Sequence, residues 1–532
     1  MATSPNVPML LPKQAQEAVI NYHNQCYYMM NQQYQLRQVM RQADLAYMRE
    51  QDWTVENQRA KIANTLGDAD KFQNVTVPIV KTQVETSVTY QSSVFLTGVP
   101  LFGVVADPEY MEDAQAMETV IDQNSVMGKW KQQLMMHFRN GFKYNLAALH
   151  VDWCRKQVPT FETDLSFGDG KEAKINTETW WEGNVLENLD MYNTFFDSRV
   201  EPTKMHEDGE FVGWSQLMGR IKLKKFIQEL PDKMVDNIKE AFEAPFGGWG
   251  TSGVSGGPYN YYLPPLNPNA LVNKNQYATM DWMMWAGLNG KQSNINYGNL
   301  YEVTILYARI LPSDFGLRVP GPNTPQVWKF IIVNHQVVIY AERQTNAHGW
   351  IPVLFSQPSE DGLKYQTKAV AVDADPFQKV SSALLNSVVA SRRRAVTDRV
   401  LYDPSRISEA AINSTNPSAK IPVRPAAYGK PLGEAVYQFP FRDDQSAISL
   451  QEIRVLDEMA DRMAGHNKAQ QGAFVKGNKT RHEYEDVMSH ANGRDQLCAL
   501  LLEDQLSTPL KYILKSNILQ YQGATSYYSR KQ

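Results

Sequence analysis

The chain has 532 residues, well past the size at which one compact core stops growing, so two or more structural regions are expected. Hydrophobic residues make up 43% and charged residues 21%, the composition of a folded chain rather than a disordered one. A formal net charge of −4 argues against gripping DNA through a globally basic surface; a DNA partner of such a chain slides rather than being held.

Three cysteines, Cys26, Cys154 and Cys498, stand far apart without a CxxC pair. That argues against a disulfide framework or thiolate zinc site and fits a reducing compartment. The first residues carry a short apolar patch broken by Pro8 and Pro12, with no basic lead, and do not read as a secretory signal. No stretch approaches the roughly 18 uninterrupted apolar residues of a membrane span, and no fixed-period repeat is present.

In chain order, residues 13–52 read as a long helix, because Val19, Tyr22, Cys26, Met30 and Tyr34 recur at three- and four-residue steps. Around 77–105 the chain turns apolar and β-branched. Residues 112–146 are predicted helical, and 148–153 alternate like a strand. Short strands and turns are expected over 155–200, then a helical stretch at 218–243. Gly, Pro, Asn and Tyr dominate 244–298, a loop-rich excursion. Residues 300–311 and 327–342 are predicted strands, the second a pair turning at Asn334–His335.

Asp375-Pro376 is predicted to open a helix, with proline at the first helical position, running to about residue 400. At 1.5 Å per residue, 376 to 398 would be about 33 Å long. Residues 403–442 hold six prolines and short strands such as KIPVR and AVYQF. A second helix is predicted from Asp443 or Asp444 until Gly465, then a loop over 465–478, then helix from Thr480 to about Tyr521, interrupted near Pro509.

Chemical motifs are few. Gly248 to Gly253 satisfies GxGxxG, but a dinucleotide site needs a strand before and a helix after, and here a helix precedes and more Gly and Pro follow. Gly472 to Thr480 resembles a P-loop with one extra residue, Asn478, which displaces Lys479 from the helix start. His482, Asp486 and His490 share one helix face without a fourth metal ligand, so a polar face is the simpler reading. No motif of an enzyme and no cofactor site emerges. Two basic features remain. Arg392, Arg393 and Arg394 near a helix C-terminus complement its dipole and either meet solvent, pair with a neighbouring subunit's acids, or touch DNA. Lys468, Lys476, Lys479 and Arg481 stand on and just after a glycine-flanked loop that could contact a phosphate backbone without reading bases.

The order of these pieces resembles the portal proteins of tailed bacteriophages over nearly the whole chain. ADLAYMREQDW, then Asn74 and VPIV, then Gly98-Val-Pro100 are similar to the family's helix end, apolar run and G-x-P step. HVDW (150–153) and DMYNTFFDSRV (190–200) resemble its later strand and turn. KGNKTRHEYEDV takes the place of the family's TA-x-E helix start, with Arg481-His482 in place of the small residue. The 244–298 stretch has no evident family counterpart.

The resemblance implies an α+β, helix-rich subunit: a wing over 1–374, a first stem helix at 375–400, a clip at 401–442, a second stem helix at 443–464, a tunnel loop at 465–478, and C-terminal wing and crown helices at 479–532. It implies a non-enzymatic homo-dodecamer at one capsid vertex of the virion, assembled in the host cytoplasm, without cofactor, metal or membrane. Its partners would be terminase, major capsid and scaffold proteins, adaptor and tail proteins, and double-stranded DNA passing non-specifically. Lys468, Lys476, Lys479 and Arg481 would face the DNA, Arg392, Arg393 and Arg394 would line the stem, and Arg406, Lys420, Arg424 and Tyr428 would bind partners at the clip. The alternatives are a non-enzymatic tail or head-completion adaptor and, more remotely, an ATPase using Lys479.

Overall fold

The computed structural model describes residues 7–32, 34–48, 75–161, 175–230, 235–243, 300–317, 319, 323–360, 362, 369–396, 400–408, 423–429, 431, 436–438, 446–465 and 493–522. The chain forms two compact units, one of residues 1–53, 80–373 and 466–532, the other of residues 54–79 and 374–465. Secondary structure is mixed, with helices alongside antiparallel sheets, an α+β chain.

In the first unit, α1 (Lys13–Gln32) and α2 (Tyr34–Met48) take up the long N-terminal helical stretch. Leu11, Ala15, Val19 and Cys26 bury one face against Phe195, Phe211, Leu306, Trp328 and Phe330. Of the predicted stripe, Val19, Tyr22 and Cys26 lie on this core face, as a 3.6-residue period requires; the side chains of Met30 and Tyr34 lie outside the described residues. The β-branched stretch is helical, α3 (Ile79–Phe95). Val80, Val84 and Val88, at four-residue steps, are all buried; that spacing and its burial override the strand preference of valine.

The predicted helix over 112–146 is two helices, α4 (Met111–Met127) and α5 (Trp130–Tyr144), parted where Lys129 turns left-handed. Over 155–200, where short strands and turns are expected, most of the chain is one long antiparallel pair, β2 (Ala147–Phe161) with β3 (Ile175–Asn188), paired from Leu149↔Asn188 to Phe161↔Ile175; the short strand and turns appear only after it, with a turn before Thr194–Phe196. With β9 (Val353–Ser356), β2 and β3 make a three-stranded sheet in the order β3-β2-β9.

The larger sheet contains β1 (Val7–Pro8), β4 (Thr194–Phe196), β5 (Phe211–Gly219), β6 (Leu300–Ile310), β7 (Gln326–Val333) and β8 (Val337–Arg343), in the order β1-β8-β7-β6-β5-β4. Asn334 and His335 between β7 and β8 both take φ near +50°, the conformation a tight hairpin reversal needs and which Asn tolerates best. Phe195 pairs with Gly213 across β4 and β5, and its ring lies where a Cβ at Gly213 would fall. After β5 the predicted helical stretch resolves into α6 (Arg220–Glu229) and α7 (Ile238–Glu243). The excursion at 244–298 lies outside the described residues.

The C-terminal helices join this unit. α10 (Gly493–Leu502) and α11 (Thr508–Tyr521) flank a π-helical turn at Glu503–Ser507; α8 and α9 belong to the second unit, below. Pro509 brings a wider turn rather than a break: a proline has no N–H for the carbonyl four residues back and its ring crowds it, and a π-turn relieves both. Leu502, Leu506, Leu510, Ile513, Leu514 and Ile518 then pack with Trp130, Leu134, Phe138, Leu149 and Leu354.

The second unit is built on α8 (Val370–Val396) from Ala374 onward and on α9 (Ser446–Ala464), with β10 (Val400–Tyr402) and β11 (Val436–Gln438) antiparallel between them in sequence. Asp375-Pro376 does not open α8. The helix starts at Val370 and holds Pro376 inside it, where Ala371 and Ala374 are fully buried and keep the preceding turn helical despite the missing donor. α9 ends at Gly465, whose φ of +79° suits the left-handed position that closes a helix, its N–H bonding the Asp461 carbonyl at 2.8 Å.

Candidate functional site

The proline-rich segment between α8 and α9 is organised by Asp403. Its carboxylate accepts from the Ser405 N–H at 2.9 Å and the Ser405 hydroxyl at 2.6 Å, and pairs with Arg406 Nε at 3.1 Å. Such a side-chain turn is a local alternative to sheet pairing. The backbone then closes on itself: Ile407 bridges Val423, the Arg424 N–H donates to the Arg406 carbonyl at 2.9 Å, and an Arg424 guanidinium nitrogen donates to the Pro404 carbonyl at 2.8 Å. Two predicted partner-binding arginines, Arg406 and Arg424, thus brace their own turn. The Tyr428 N–H donates to the Pro425 carbonyl at 3.1 Å, and the residue is 74% exposed.

Beside it, the β10–β11 pair presents large apolar groups to solvent. Leu401 and Tyr437 face each other across the ladder, each 57% exposed, and Val436 is exposed too. Direct cross-strand neighbours on one face act as a unit. The AVYQF strand was legible in the sequence, but its role as an outward apolar surface was not; the only signal is an aromatic strand set among prolines with little apolar sequence around it to cover it.

On α9, Ile448, Val455 and Met459 are exposed at seven- and four-residue steps, a stripe along one helix face. On α8, Arg392 is exposed; Arg393 and Arg394 continue the helix, and their side chains lie outside the described residues. So do Lys420, Lys468, Lys476, Lys479 and Arg481, the GxGxxG and P-loop-like segments, and His482, Asp486 and His490.

The first unit holds three clusters of titratable groups that sequence reading did not find. In one, Asp44 accepts from Lys143 Nζ at 2.7 Å, Tyr144 at 2.7 Å and Tyr192 at 2.7 Å. Burial first, and then the Asp44 charge, push the Tyr144 phenol far above its ordinary range. In the second, Asp152 pairs with Lys329 at 2.9 Å and His150 bonds the Tyr307 hydroxyl at 3.1 Å. Burial opposes the Lys329 charge, but Asp152 outweighs it and raises Lys329 well above the usual lysine range. In the third, Glu302 lies 3.1 Å from His335 Nε2 and accepts from Tyr27 at 3.2 Å. Burial works against that carboxylate, yet His335 and the hydrogen bonds bring it down to about 2. His23, fully buried beside His335, is pushed down to about 3, first by burial and then by His335.

Each cluster joins titratable groups across strands and helices distant in sequence. Such networks perturb titration as active sites do, but structural ion pairs do so too. Here the carboxylate of each cluster is taken up by its own partners, which is the arrangement that holds elements together. Among the described residues no group of three or more His, Cys, Asp or Glu side chains is disposed to hold a metal ion, no disulfide joins the cysteines, and no helix is long and apolar enough to cross a membrane. No protein-family model matches the chain, and no curated protein matches it significantly.

Proposed function

We propose that this protein is a portal subunit of a tailed bacteriophage: one member of a dodecameric ring at a capsid vertex of the virion, the channel through which the genome is packaged and ejected. The observation that carries the reading is the second unit. Two long helices bracket a short, proline-rich β-structured segment whose tip turns Leu401, Tyr428, Val436 and Tyr437 outward. Exposed apolar side chains of that kind, on and beside a tightly braced turn, suit docking of a protein partner, here the terminase motor during packaging and an adaptor or tail protein afterwards.

Two further features support it. The stripe of Ile448, Val455 and Met459 on α9 suits burial against another copy in a ring, where a contact between two different surfaces closes by rotation. A chain of net charge −4 suits a channel that passes DNA of any sequence without holding its phosphates. On this reading the subunit is not an enzyme and needs no cofactor; the motor's chemistry belongs to its partner.

Negative-stain imaging of the purified full-length chain, with mass photometry of the same sample, tests the proposal. Rings of about twelve subunits with an open centre wide enough for duplex DNA are expected. A small closed oligomer without a channel, or a filled disc, would overturn the reading in favour of a tail or head-completion adaptor.

A further inference from the structure

The first unit carries two exposed surfaces that match each other. One is the segment from Leu96 to Asp113. Leu96, Leu101, Phe102 and Val104 tuck into the core around Trp130 and pin it. Between and beyond those anchors, Val99 is 84% and Val105 97% exposed, followed by Tyr110 at 58% and Met111 at 56%. Asp107, Glu109, Glu112 and Asp113, all exposed, ring the last two. The other surface is α6. Its Leu223 and Ile227 point into the core, while Ile221 is 69% exposed among exposed Lys222, Lys224 and Lys225. Among the described residues none of these seven charges has an ion-pair partner.

We infer that the acidic apolar arm at 99–113 of one copy docks on the basic face of α6 of a second copy, Tyr110 and Met111 against Ile221 and the carboxylates against the three lysines. The contact deepens the ring reading above and rests on it.

Large apolar side chains exposed in a group mark an interface, and the acids Glu112 and Asp113 in the first turn of α4 are explained in part by the helix dipole. The dipole does not explain why Val105 and Tyr110 face water. A polyanion such as DNA would suit the lysines of α6 but would be repelled by the arm. A second copy satisfies both surfaces at once. Because the two surfaces differ, the contact is head-to-tail, the kind that propagates around a ring, and its opposed charges fix partner and register more than they add affinity.

The test uses the full-length chain. Val105→Cys and Ile221→Cys are made in separate chains. Mixed, they should form an oxidised cross-linked pair, and Val105→Cys alone should form none. Lys222→Glu/Lys224→Glu/Lys225→Glu should weaken self-association by about tenfold or more, as should Glu109→Lys/Glu112→Lys/Asp113→Lys, since each attraction becomes a repulsion. The chain carrying all six changes should recover association, with circular dichroism unchanged throughout. Absence of the mixed cross-link, self-cross-linking of Val105→Cys, or failure of the six-fold variant to recover overturns the contact. Rings that persist through both reversals overturn it while leaving the portal reading standing. A small channel-free oligomer that obeys the charge swap keeps the contact and ends the portal reading.

Discussion

The Lys143 ammonium stands 2.7 Å from the Asp44 carboxylate, with their side chains only 7% and 12% exposed. Lys143 comes from α5 and Asp44 from α2, so the pair ties the N-terminal helices to the helix that packs on the smaller sheet. Removing one partner of a buried pair leaves the other charged in a poor solvent. Lys143→Met should destabilise the first unit by about 3 kcal/mol or more. Adding Asp44→Asn should return most of that loss, since no charge is then stranded. Urea unfolding followed by tryptophan fluorescence reads both.

Acid should unfold the first unit through its Glu302–His23 region. Glu302 is lowered from 4.5 to about 2, so its stabilisation is whole above pH 4.5 and is lost as pH falls toward 2. His23 is lowered from 6.5 to about 3. The unfolded imidazole therefore takes a proton below pH 6.5 while the folded one stays neutral, which again favours unfolding as pH falls. Both groups act in the same direction between pH 4.5 and 3, each at about 1.4 kcal/mol per pH unit. The melting temperature should fall from pH 7 to pH 4, and His23→Phe should flatten the part between 6.5 and 4.5. An equally steep fall in that variant would remove His23 from the account.

Asn386 clamps the segment before α3. Its Oδ1 accepts from the Val75 N–H at 2.9 Å and its Nδ2 donates to the Val75 carbonyl at 3.1 Å, while Ser382 Oγ accepts from the Val77 N–H at 3.1 Å. Asn386→Ala should release residues 75–77 at a cost of about 1 kcal/mol. Hydrogen exchange should quicken at 75–77 and stay unchanged in the sheets of the first unit.

The outward tip of the second unit should matter to partners and not to folding. Leu401→Ser with Tyr437→Ser, or Tyr428→Ala, should leave the melting curve within about 0.5 kcal/mol of the parent and still abolish genome packaging in an assembly assay. Arg406→Ala should behave differently, loosening the Asp403 turn and raising protease sensitivity near 403–408. Packaging at the parental rate with both tip variants would sink the docking role.

On the portal reading, Lys468→Ala with Lys476→Ala should reduce DNA retention in filled heads, because each lysine would then give up a phosphate contact without any change in base preference. Retention and packaging equal to the parent would show that these lysines do not touch DNA.

Elements whose rules are local were legible in the sequence. The stripe at Val19, Tyr22 and Cys26, the reversal at Asn334–His335 and the stop at Gly465 each follow from a few neighbouring residues and the backbone angles they allow. Long-range packing decided the rest. Val80, Val84 and Val88 became helical because a buried helix face covers them, Pro376 stayed inside a helix because the alanines before it are buried, and the hairpin of β2 and β3 outgrew its short-strand pattern by pairing. The polar clusters joined Asp44 to Tyr192, Asp152 to Lys329 and Tyr27 to Glu302, residues too far apart in the chain for any spacing rule to couple. Burial itself brought those charges together, since a charge withdrawn from water is tolerated only where another group meets it, and which group that is depends on the fold.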